Sequence, residues 1–239
     1  MCFSAGASFA GGIIISGIGI ATIREVHKPS QMVFAGIPVF FGVQQILEGC
    51  LWLTIPNPDF IYIQRIATYG FLIMAQVLWP TLIPVSVLLM EKNKRRKSII
   101  SIFLGLGLLL SSYYAFCLFS YHVTPRIMGY HIQYNTDFPD SLSMPAFIIY
   151  LVVTITPLFV SGIKKTHLLG ILMFLSCLIT AIFFTQYLTS VWCFFAALIS
   201  GVIFWILRDS KKEFNLKNLA LLKIGSEILP RRQTDDHSS

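Results

Sequence analysis

The sequence predicts an all-α integral membrane bundle of seven transmembrane helices, with the N-terminus outside and the C-terminus cytoplasmic. Three observations predict it. The chain of 239 residues is 55% hydrophobic and only 12% charged, against about 25% charged residues in a soluble domain. Its apolar residues occur in long blocks split by short polar stretches, the pattern of helical spans and not the period-two alternation of a membrane barrel. Its basic residues fall almost entirely into alternate connections.

The predicted spans run from about Ala5 to Ile23, Met32 to Ile55, Ile66 to Met90, Ser98 to Phe119, Met144 to Ile163, Leu168 to Tyr187 and Val191 to Leu207. Each is long enough, at 1.5 Å per residue, to cross most of about 30 Å of hydrocarbon. Arg24 and Lys28 follow the first span, Lys92 to Lys97 the third, Lys164 and Lys165 the fifth, and seven basic residues the last. Sixteen of the 18 lysines and arginines therefore share one side, leaving Arg65 and Arg126 on the other. The positive-inside rule makes the crowded side cytoplasmic. This also accounts for the net charge of +7 without a nucleic-acid partner, since no soluble face carries a phosphate-binding patch. No basic region precedes the first apolar run, so a cleavable signal peptide is not expected.

Span one carries Ser8, Gly12 and Ser16 at intervals of four, and Gly17 and Ala21 as a second pair. Small residues at this spacing let helix backbones approach closely. They suit packing inside the bundle, and also a homodimer through span one. The connection Ser120 to Ser143 is the longest, holds His122, Arg126, His131, Asp137 and Asp140, and shows no obvious helix of its own. A connection of this kind suggests a functional loop or a cover. Beyond Leu207 the chain is expected to leave the seven-helix domain. Lys211 to Leu229 reads as an amphipathic helix on the anionic leaflet, and Arg231 to Ser239 as disordered.

Glu48 is the charged side chain placed well inside a predicted span. An ionisable group there costs a few kcal/mol or more, so something must compensate. Gln44 and Trp52 lie one turn either side of it, and Gln45 extends the same face. The depth is roughly 10 Å below the outer boundary. Ser111, Ser112, Tyr113, Tyr114, Tyr69, Gln76, Gln186, Tyr187, Trp192 and Cys193 fall at comparable heights. Two readings follow. Glu48 can be a structural carboxyl hydrogen-bonded to a neighbouring helix. It can instead anchor a ligand pocket walled by Gln44, Gln45, Trp52, Tyr113 and Trp192. A divalent metal is a sharper form of the second reading, with His122, His131 and Cys2 as ligands, although no spacing is diagnostic of one. Cys2 would also become an N-terminal nucleophile if Met1 were removed. Cys2, Cys50, Cys117 and Cys193 map to the outer half, where disulfides are permitted. The absence of a lysine within any predicted span excludes a retinal Schiff base, and no P-loop supports nucleotide binding.

The stretches Met1-Cys2-Phe3-Ser4-Ala5, Gln44-Gln45-x-x-Glu48-Gly49-x-x-Trp52, Gly129-x-His131-Ile132-x-Tyr134 and Trp192-Cys193-Phe194-Phe195-Ala196-Ala197 resemble an uncharacterised family of bacterial multi-span membrane proteins. The likeness runs to about Leu207. It implies a bacterial inner membrane and supplies no activity. A weaker likeness, in span number and orientation, is to the seven-span hydrolases related to alkaline ceramidase. Those need histidines within their spans, and none is placed there in this sequence. The leading expectation is a receptor-like protein that binds a small molecule or lipid at the outer side. The alternatives are a metal-dependent enzyme acting on an outer-leaflet substrate, and a transporter.

Overall fold

A computed structural model describes residues 4–183 and 195–228. The helices are α1 (Ala5–Arg24), α2 (Met32–Thr54), α3 (Ile61–Leu72), α4 (Trp79–Met90), α5 (Lys94–Ser120), α6 (Asp140–Val160), α7 (Lys164–Phe183) and α8 (Ala196–Ile228). A π-helical segment, Ile73–Leu78, joins α3 to α4 into one long rod. Five helical stretches among the described residues are long and apolar enough to span a membrane: Ala5–Arg24, Pro29–Thr54, Pro58–Met90, Lys94–Ser120 and Ser141–Val160. The fold is therefore that of a multi-pass helical membrane protein.

Helix α1 packs along α2 through glycines on both. A Cβ on Gly12 or Gly19 would strike Ile46 or Val39, and one on Gly42 would strike Ser16. Ser8 and Gly12 are buried in this seam. Gly17, by contrast, is exposed, with open space around it.

The rod from α3 to α4 is shaped by its prolines. Pro84 has no N–H to give the carbonyl of Pro80, and Pro80 none to give Gln76. The π segment widens the helix just before them and leaves further carbonyls to satisfy. Neighbouring helices do this. The Tyr150 hydroxyl of α6 donates to Ala75 O at 2.8 Å, and Ser111 Oγ of α5 to Val77 O at 2.6 Å. One turn from Ser111, the glycine at 107 lets α5 lie directly on the Pro80 carbonyl.

The long connection, read as having no obvious helix of its own, holds an antiparallel hairpin, β1 (Val123–Met128) and β2 (His131–Thr136). Its turn is Gly129-Tyr130, and Gly129 has φ +62°. A positive φ at the first turn position alone fits a II′ turn, which glycine opens at no steric cost. Exposure alternates along β1, so Val123, Pro125 and Ile127 face inward. Ile132 packs with Leu51 of α2 and Ala67 of α3. Tyr134 stacks on Phe71 at 5.0 Å, its ring 10° from parallel. The hairpin is bedded on α2 and α3.

The opposite end collects the basic loops. Lys165 pairs with Asp209 and, at 3.5 Å, with Glu213. Lys211 pairs with Glu25 at 3.3 Å and donates to Arg24 O. Gln31 Nε2 donates to Ser210 Oγ, and Phe214 stacks on His27 at 5.0 Å. These contacts tie the turns just past Leu207 to α7 and to the loop between α1 and α2. Between Leu207 and Lys217 there is neither glycine nor proline. α8 accordingly runs 33 residues without interruption, about 50 Å, well beyond the hydrocarbon thickness.

Candidate functional site

The polar face of α2 is wholly internal. Glu48 and Gln45 are 0% exposed and Gln44 is 2% exposed. At about 100° per residue, Gly42 and Gly49 mark the stripe turned to α1, and Leu47 and Leu51 the stripe turned to α3 and the hairpin. Glu48 lies between these two stripes. The α1 stripe is fixed by Phe9 lying against Gly49, and the hairpin stripe by Ile132 lying against Leu51. Both Glu48 and Gln45 are engaged with neighbouring groups.

Gln44 has a defined structural job. Its amide oxygen accepts from the Trp79 indole N–H at 3.0 Å, in a buried bond between α2 and the first residue of α4. Trp79 also stacks on Phe41 at 4.3 Å. The sequence reading missed Trp79. Its signal was available: an indole donor three residues after Gln76, immediately before a mid-span proline.

Trp52, one turn from Glu48 on the same face, is half-buried. Its indole nitrogen is inaccessible and has no hydrogen-bond partner among the described residues. The same holds for Gln76 Oε1 in the π segment and Ser200 Oγ in α8. Each such atom is costly unless water, a ligand or another group meets it.

Other predicted residues fall elsewhere. Tyr113 lines a groove between α5 and α6 with Leu106, Leu110, Leu142 and Ala146; α5 packs on α4, α6 and the π segment rather than on the Glu48 face. His122 immediately precedes β1, while His131 pairs with Met128 beside the turn. The length of the hairpin separates them by about 20 Å at 3.3 Å per residue, so they do not share one ion. Among the described residues, no three His, Cys, Asp or Glu side chains gather as a metal site. Burial holds His131 below its ordinary pKa. Cys50 and Cys117 are free thiols and not a bonded pair. Cys2, Gln186, Tyr187, Trp192, Cys193 and the segment Arg231 to Ser239 lie outside the described residues.

A second buried carboxylate was not singled out from sequence. Glu91, 6% exposed, ends the α4 rod at the basic end. Its Oε1 accepts from the N–H groups of Lys92 and Asn93 at 2.9 and 3.0 Å, and its Oε2 from Gly162. Burial pushes this carboxyl up. The N–H groups of Asn93, Gly162 and Lys92, with the Arg96 guanidinium, outweigh that and hold it below the ordinary value. It clamps the α4–α5 loop to the α6–α7 turn, where His167 also bonds Ser161 O at 3.0 Å.

The arrangement defines a multi-pass helical membrane protein with an internal carboxylate on α2 and a β-hairpin packed on α2 and α3. The chain belongs to DUF6629, a family of unknown function, which it matches over residues 1–217. The match includes the first turns of α8 past Leu207, the turns that dock on the α1–α2 loop. No curated protein and no solved structure matches the chain.

Proposed function

We propose that the chain is a seven-span, receptor-like protein of the bacterial inner membrane, N-terminus outside and C-terminus cytoplasmic. It binds a small molecule or lipid headgroup in a polar pocket centred on Glu48, beneath the hairpin. The five long apolar helices, with α7 and α8 covering most of the remaining two predicted spans, support the count. The clustering of the basic loops at the end away from the hairpin supports the orientation.

The observation that carries the binding reading is a pair on one helix face. Glu48 is fully buried, and one turn away the Trp52 indole N–H is buried without a partner among the described residues. A ligand with an acceptor group supplies what the indole lacks, and a donor on the same ligand reaches the carboxylate one turn away. The cation or hydroxyl of the ligand meets the carboxylate, and its acceptor meets the indole. Gln45 extends the polar wall, while Gln44 holds α4 in place through Trp79.

The test is mass spectrometry of small molecules retained by the full-length protein purified in mild detergent, comparing wild type with Glu48→Gln and Trp52→Phe. A species near unit stoichiometry in wild type, lost at least about tenfold in both variants, is expected, with the unfolding temperature of Trp52→Phe unchanged. If both variants retain everything that wild type retains, Glu48 is a structural carboxyl and the reading fails.

A further inference from the structure

An outward-facing feature stands apart from the internal Glu48 face. Arg65 is one of two basic residues on the hairpin side of the molecule. Its side chain makes no ion pair or hydrogen bond with any described residue. It is exposed in the second turn of α3, at the level where α5 ends in Phe119 and Ser120. Below it runs a groove of about 520 Å³ between the α3–π rod and α5, lined by Tyr69, Ile73, Val77, Ala115, Leu118 and Phe119.

The groove is built by the π segment. Widening the rod at Ile73–Leu78 and tying Val77 O to Ser111 Oγ fixes the two helices below the groove, while small Ala115 leaves space beside them. From Arg65 to Val77 is about 18 Å along the helix, slightly more than half of the roughly 30 Å hydrocarbon core. The volume lies within the range of true ligand pockets, about 300 to 1,000 Å³. The slot thus has the depth of one leaflet and a cation at its mouth. Guanidinium is the side chain best matched to a phosphate, which it holds in a two-pronged, charge-assisted bond. Tyr69, one turn below, adds a phenol to the same wall.

We infer that the Arg65 groove is a binding site for one phospholipid of the leaflet on the hairpin side, with the phosphate on Arg65 and one acyl chain laid along Tyr69, Ile73 and Val77. The site is independent of the pocket at Glu48.

The test uses the full-length protein in nanodiscs, with phosphatidylglycerol carrying a photoreactive group on one acyl chain as probe. Labelling is expected at Ile73, Val77 or Ala115. Unlabelled phosphatidylglycerol should compete; inorganic phosphate and a diacylglycerol of the same chains should not. Arg65→Gln should lower labelling about tenfold, and Ala115→Trp should abolish it by filling the groove. Both side chains are exposed, so the unfolding temperature should hold. Glu48→Gln should leave labelling unchanged, which keeps the two sites' tests separate. Equal labelling in Arg65→Gln, equal competition by diacylglycerol, competition by inorganic phosphate, or labelling spread evenly round the bundle would each overturn the inference.

Discussion

Gly105 and Gly107 stand two positions apart in α5 and face opposite surroundings. A methyl group at 107 would run into the Pro80 carbonyl, whereas one at 105 meets nothing within 4 Å. Gly107→Ala is therefore expected to cost about 1–3 kcal/mol as overpacking against backbone that cannot yield. Gly105→Ala should be neutral or stabilising by up to about 1 kcal/mol, since alanine is the better helix former. Thermal unfolding of both variants in one detergent checks this; equal shifts would refute the close approach. The two glycines look alike in sequence. Only the partner helix distinguishes them, because Pro84 frees the Pro80 carbonyl and α5 is what lies over it. Glu48 shows the reverse. Its burial was legible from one charge in an apolar run, since any site open to lipid would be too costly for a carboxylate.

The hairpin is the element that periodicity did not reveal. Its strands carry Pro125, Arg126 and Asn135 among the apolar residues, and alternation over six residues is a weak signal. Its stability comes from where it lands. Ile132 is 1% exposed against Leu51 and Ala67, so Ile132→Ala is expected to cost about 2–5 kcal/mol. Arg126→Ala, on the outward face, should change stability by no more than about 0.5 kcal/mol. Limited proteolysis of residues 123–136 should accelerate in the first variant and not in the second. Equal rates would mean that the lid is not anchored by its inner face. The same landing explains why His122 and His131 do not form one site. Their sequence separation is short, but a hairpin places residues before one strand and at the start of the next at opposite ends.

At the scale of the whole molecule, α8 ties the chain's later helices to its first loop. His27 sits in that joint, stacked on Phe214, and neither ring nitrogen has a hydrogen-bond partner among the described residues. Burial, then Lys28, lowers its pKa from the ordinary histidine value; the Glu25 backbone opposes this and Lys211 adds a smaller push downward. The undocked loop therefore holds a proton more readily than the docked one. Docking is strongest above the ordinary histidine pKa and weakens as pH falls below it. The unfolding temperature of wild type should drop between about pH 8 and about pH 5 by more than that of His27→Phe, which keeps the ring stack and removes the titration. Parallel pH profiles would sink the assignment.

Composition and the placement of charge by themselves determined that this chain forms apolar helices of membrane-spanning length, and that a carboxylate with two amides lies on an internal face of α2. Those outcomes follow from solvation, which acts residue by residue and can be read along a line. Tertiary structure decided which polar groups are already matched and which still want a partner. Gln44 is bound to Trp79, while the Trp52 indole, one turn from Glu48, has no partner among the described residues. It also decided that a hairpin packs on the neighbouring Leu51 stripe of α2, and that α8 continues past Leu207. Each of these depends on groups distant in sequence meeting across a helix interface, where one partner's carbonyl, ring or charge sets what the other can do.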